Sequence, residues 1–215
     1  MIFIDASVRH QDNLKALALN HNYTYTQHRQ RWDDLGALLD PAPRNEFANL
    51  RDFRLSEMQT DSHDAEELLE YSLRKGSLRS FDINFELLGW QGSNHAADLK
   101  TFSWLEGAES IQNLGIRHFL FAAHSVDEQS ALPRFLGSFP NLRTLRIESN
   151  HYSPAQLSLM ILEIMKAAKA LRVIYAPGLY GTALDSLVKE AHTHFDIDVV
   201  PAVQSRPWPV VFEEE

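Results

Sequence analysis

"NLRTLRIESN", residues 141–150, sets Leu142, Leu145 and Ile147 in the order Leu-x-x-Leu-x-Leu and places Asn150 three residues further on. Leu145 and Ile147 alternate with polar neighbours, as a strand buried on one face requires. A single window of this kind carries little information. A series of them at steady spacing dictates the architecture of a whole chain.

The series exists. The same grammar appears in "NLKALALNHN" from Asn13, "NLRDFRLSEM" from Asn49, "SLRSFDINFE" from Ser77, "SIQNLGIRHF" from Ser110 and "ALRVIYAPGL" from Ala170. The leading apolar residues are Leu14, Leu50, Leu78, Ile111, Leu142 and Leu171, so successive spacings are 36, 28, 33, 31 and 29 residues. Two columns that did not define the windows also agree. The second position reads Lys15, Arg51, Arg79, Gln112, Arg143 and Arg172, in a chain with only 20 Lys and Arg among 215 residues. The position before the leading apolar residue reads Asn13, Asn49, Ser77, Ser110, Asn141 and Ala170, mostly small polar side chains suited to turning into a strand.

Helix signals fill the gaps. "DSHDAEELLEYSLRKG" opens on acidic and cap-forming residues, repeats Ala65, Leu68, Leu69 and Leu73 at helical spacing, and closes on Arg74, Lys75 and Gly76. "SPAQLSLMILEIMKAAKA" offers Ser153 as N-cap, Pro154 at the first helical position and Gln156 to complete a capping box, and its near-continuous apolar surface predicts burial on two sides. "SVDEQSALPRFLG" begins with a Ser125 to Glu128 capping box and carries Pro133, which predicts a short or bent helix. "TALDSLVKEAHTH" is expected to cap at Thr182 and Asp185 and to present Leu184, Leu187, Val188 and Ala191 on one face.

A strand and helix of about 30 residues cannot bury their own apolar faces and must stack on neighbouring units. The expected fold class is α/β, a curved solenoid with a parallel sheet on its concave side and helices on its convex side. Residues 1–200 form one solenoid of about six irregular repeats, and residues 201–215, "PAVQSRPWPVVFEEE", form a C-terminal cap or tail in which Trp208 and Phe212 are too apolar for free solvation. A doubly wound sheet also alternates strands and helices, but it does not call for the same Leu-x-x-Leu-x-Leu grammar in every strand.

With these six copies the chain resembles the leucine-rich repeat superfamily, most closely the irregular leucine-rich repeat region of fungal F-box-type proteins, over roughly residues 10 to 200. The resemblance implies a solenoid whose outward strand positions bind partners. The ninth repeat position, often Asn or Cys in that superfamily, is Asn22 and Asn150 in two copies, while Met58, Glu86, Phe119 and Leu179 occupy it in the others. An F-box, the adaptor-docking element of such proteins, has no room before the first copy, since "MIFIDAS" reads as a strand already inside the array.

Composition narrows the chemistry. There is no cysteine, which removes disulfides, zinc-thiolate sites and cysteine nucleophiles and favours a reducing, intracellular compartment, cytoplasmic or nuclear. A formal charge of -9 argues against general nucleic-acid binding. "MIFIDASVRH" has neither a basic n-region nor an apolar h-region, and "LSLMILEIM" is too short to span a bilayer. "GLYGTAL" lacks the lysine and spacing of a phosphate loop, and no cofactor is expected. The most catalytic-looking cluster is "HTHFDID". Read as a strand, it places His194, Asp196 and Asp198 on one face near His192, and a metal-dependent hydrolase is the alternative function it suggests. The competing reading is a terminal strand with a solvated polar face and Phe195, Ile197 and Val199 packed inside. Trp90 and Trp104 are expected in the core, and Trp32, beside Arg29 and Arg31, is a secondary candidate for a binding anchor.

The repeat pattern directs attention to the second column, Lys15, Arg51, Arg79, Arg143 and Arg172, and to Arg54, Arg146 and Tyr175 at the fifth position, opposed there by Asp82, with Arg117 and Glu148 at the seventh. A chain of negative net charge that gathers its basic residues in one column has an asymmetric field suited to an acidic protein partner, the competing reading being that the arginines only solvate an exposed sheet and shield its edges. These eight residues are the candidate partner-binding set. The expected function is non-enzymatic protein–protein recognition, and the resemblance extends it to the substrate-reading part of an F-box-like ubiquitin-ligase adaptor.

Overall fold

A computed structural model of the protein describes residues 16–20, 49–56, 62–84, 99–117, 119, 126–149 and 151–201. Seven strands form one parallel sheet: β1 (Ala16–Asn20), β2 (Asp52–Ser56), β3 (Ser80–Asn84), β4 (Asn113–Arg117), β5 (Thr144–Glu148), β6 (Val173–Tyr175) and β7 (Asp198–Val200). Their order in the sheet is their order in the chain. Each connection is long enough for a crossover and a return beside the strand just left, which keeps neighbours in sequence adjacent in space.

The register matches the sequence windows without a slip. Ala16, Asp52, Ser80, Asn113, Thr144 and Val173, the third residues of the six copies, lie side by side across the sheet. The expectation of six adjacent parallel strands holds, and β7 adds a seventh that pairs Asp198 with Val173.

Among the described residues the helices are α1 (Ser62–Arg74), α2 (Val126–Gly137), α3 (Pro154–Ala167) and α4 (Gly181–His194), with a 3-10 turn at Ser103–Leu105. Helix α3 carries the expected capping box: Ser153 Oγ accepts from the Gln156 amide at 3.4 Å, and Gln156 Oε1 accepts from the Ser153 amide at 3.0 Å. Helix α1 ends at Arg74, followed by Gly76 in the left-handed region at φ 72°. Helix α2 runs past Pro133 to Gly137, twelve residues in all. Ser125, its expected cap, lies outside the described residues. Helix α4 departs from expectation. It starts at Gly181 after Tyr180 with no side-chain cap, so neither Thr182 nor Asp185 has the assigned role. Gly181 itself, at φ 63°, turns the chain into the helix.

The core follows from the register. Leu50, Leu78, Ile111, Leu142 and Leu171 at the first repeat position are fully buried, as are Leu114, Leu145 and Ile174 at the fourth and Ile116 and Ile147 at the sixth. Helices α2, α3 and α4 pack side by side in the same order as their strands. Leu132, Phe135, Ile161, Ile164 and Leu187 from these helices join the strand residues in one cluster. Helix α3 is flanked by α2 and α4, but its burial is incomplete, because Leu159 remains 65% exposed. At the other end, Phe53 stacks on Phe81 with ring centroids 5.9 Å apart, and Trp104 lies 6.1 Å from Phe81 and half-buried against the core, as expected. Trp32, Trp90 and Trp208 lie outside the described residues.

The ninth-position substitutions also find an explanation. Phe119 and Leu179 are buried there as apolar plugs. In the opening stretch the loop backbone is held one position earlier than expected: Ser149 Oγ donates to the Phe119 carbonyl at 2.6 Å and accepts from the His151 amide at 3.2 Å. Asn150 lies outside the described residues.

Candidate recognition surface

The second residue of each copy stands immediately before a strand, and its carbonyl takes amides from the next copy. Arg51 O accepts from Arg79 N at 2.7 Å and Ser80 N at 2.9 Å, and Arg79 O from Gln112 N at 2.8 Å and Asn113 N at 2.9 Å. Gln112 O accepts from Arg143 N at 2.8 Å and Thr144 N at 3.0 Å, and Arg143 O from Arg172 N at 2.8 Å and Val173 N at 3.1 Å. A carbonyl oxygen has two lone pairs, and here both are used at every step. The backbone is thereby pinned in line at strand spacing, roughly 4.8 Å per step. Arg79, Arg143 and Arg172 are exposed and Arg51 is half-buried. The row therefore borders the sheet where the strands begin rather than lying on the strands themselves. It ends beyond Arg172, because the next step is the buried Ile197. Lys15 lies outside the described residues.

On the strands, the face turned away from the helices is less open than the repeat pattern suggests. Ser80, Asn113 and Thr144 begin β3, β4 and β5, and all three are buried, with Asn113 Nδ2 donating to Ser80 Oγ at 3.0 Å. At the fifth and seventh positions, Arg117 Nε of β4 reaches Asp82 Oδ1 of β3 at 3.3 Å, both side chains being nearly inaccessible. Arg146 is 13% exposed and bonds Glu148 Oε2 at 3.0 Å, two residues along the same strand face. Tyr175 is half-buried, and the Arg54 side chain lies outside the described residues. Of the eight sequence-derived candidates, the structure brings Arg51, Arg79, Arg143 and Arg172 into one row, and pairs Arg146 with Glu148 on the sheet face away from the helices.

The Asp82–Arg117 pair was not singled out from sequence. Its signal is present, an acid at the fifth position of one copy and a base at the seventh of the next, which become diagonal neighbours once the copies align.

The "HTHFDID" segment is not the strand that alternation suggested. His192 and His194 belong to the last turn of α4, where two residues of separation put them roughly 200° apart around the helix axis. Asp196 follows in the left-handed conformation at φ 54°, and only Asp198 enters β7. His194 Nε2 lies 3.5 Å from Glu190 Oε2 on the exposed helix surface. No group of three or more His, Asp or Glu among the described residues is placed to hold a metal ion. The packing half of the competing reading holds for Ile197, which is buried, and for Phe195 and Val199, which pack against the core. The physical reason for the helix is the Leu184, Leu187, Ala191 face, which extends helical hydrogen bonding until the Phe195 amide bonds Ala191 O at 3.0 Å.

No helix among the described residues is long and apolar enough to cross a membrane. No protein-family model matches the chain, and no curated protein matches it.

Proposed function

We propose that this chain is a non-enzymatic protein–protein recognition module, a curved leucine-rich-repeat-like solenoid that offers its basic strand-entry row to an acidic protein partner. The observation that carries this reading is the line of Arg51, Arg79, Arg143 and Arg172, held in register by paired backbone hydrogen bonds in a protein of charge -9. Local positive charge against a negative whole steers an acidic partner to one place. Curvature has its own physical support: packed helices need 8–10 Å per unit, whereas strands need only about 4.8 Å, so a stack of such units bends with its sheet inside. The family resemblance adds a cellular role, the substrate-reading part of an F-box-like ubiquitin-ligase adaptor acting inside the cell.

The test is partner capture from native lysate by the protein and by the triple variant Arg51→Glu, Arg79→Glu, Arg143→Glu, with circular dichroism as the check on folding. Loss of the principal partners by a folded variant is expected, together with weaker capture as salt rises. Identical partner sets would remove the row as the recognition surface.

A further inference from the structure

Arg143 and Arg172 are adjacent in the row. The Arg172 amide donates to the Arg143 carbonyl at 2.8 Å, and the residues after them, Thr144 and Val173, are register partners. Both side chains are exposed. Arg172 Nη1 folds back onto the Leu171 carbonyl at 3.0 Å, and Arg143 has neither a hydrogen bond nor an ion pair from its side chain among the described residues. Asp198, whose amide bonds the Arg172 carbonyl at 2.8 Å, makes no ion pair with it among the described residues. Like charges held side by side at the entrances of neighbouring strands repel one another. Two arginines side by side without an intervening acid are thus an unfavourable choice for folding alone, of the kind found where binding sets the residue.

We infer that Arg143 and Arg172 form a two-guanidinium clamp for a carboxylate carried on an extended acidic segment of the partner. The inference rests on reading the basic row as the recognition surface. A carboxylate has two oxygens, each able to accept from a different guanidinium, and charge-assisted bonds of this type are stronger than neutral ones. Backbones roughly 4.8 Å apart leave both side chains within reach of one such group, with Arg172 Nη1 released from the Leu171 carbonyl. The partner is a polypeptide rather than a nucleic acid. A polyphosphate brings dense charge along its whole length against a protein of charge -9, whereas a short acidic segment meets only the local positive field.

The experiment is titration of the purified full chain with a labelled peptide alternating glutamate and alanine. The controls are the glutamine–alanine peptide and an oligothymidylate of matched charge. Binding of the glutamate peptide is expected to weaken about tenfold or more in Arg143→Gln, Arg172→Gln and to be absent for the glutamine peptide. A second readout requires no ligand. Arg143→Gln alone should raise Tm by about 1–3 °C at low salt, with the gain shrinking as salt screens the pair. Equal binding of both peptides, unchanged affinity in the double variant, or tighter binding of the oligothymidylate overturns the clamp. A Tm that falls, or that rises equally at all salt concentrations, removes the repulsion on which it stands. Partner capture that depends on Arg51 and Arg79 while the double variant binds peptide normally sinks the clamp and leaves the wider row standing. Capture indifferent to the whole row, with peptide binding still dependent on Arg143 and Arg172, does the reverse.

Discussion

Arg117 crosses from β4 to β3 to meet Asp82, Nε to Oδ1 at 3.3 Å, with both side chains removed from solvent. The two residues sit 35 positions apart in the chain and become diagonal neighbours because Asp82 is in register with Gly115. Gly115 presents no side chain beside Asp82, and the longer Arg117 reaches over from two residues further along. Removing one member of a buried pair takes from the other charge a close partner in a poorly solvating place. Arg117→Met should therefore cost about 3–5 kcal/mol in urea unfolding, and adding Asp82→Leu should regain most of it. Additive losses in the double variant would mean the two residues act independently.

The register makes a separate demand on the core. Leu145 is fully buried between Leu114 on β4 and Ile174 on β6. Leu145→Ala should lower stability by roughly 2–5 kcal/mol. Thermal unfolding that barely changes would contradict the placement of this side chain.

The N-terminus of α3 offers a finer test. Ser153→Ala removes the side-chain acceptor of the Gln156 amide while sparing the core, and a loss of about 0.5–2 kcal/mol is expected. Ser153→Gly should lose less. Equilibrium denaturation of the two variants side by side gives the comparison.

For His192 and His194 the expected result is near silence. Both are exposed on α4, and replacing both with alanine should shift stability by no more than about 0.5 kcal/mol, with zinc present or absent. A zinc-dependent rise in Tm that disappears in the double variant would restore the metal reading of this segment.

The sequence by itself determined the repeat register, the strand order and the cap of α3. These are local or periodic properties: Leu142, Leu145 and Ile147 recur in kind in every copy, and Ser153, Pro154 and Gln156 meet within one helical turn. The tertiary structure alone decided which charges stay outside. Arg143 and Arg146 look alike in "NLRTLRIESN", yet one is exposed at the strand entrance and the other lies largely covered along the strand, paired with Glu148. It also decided that His192 and His194 end a helix while Asp198 opens a seventh strand, because Phe195 continues the Leu187 and Ala191 helical face at four-residue spacing and fits the alternation with Ile197 and Val199 as well. Periodicity fixes which face of an element is apolar. Which polar side chains find partners depends on neighbours some 30 residues away, brought alongside only when the strands stack.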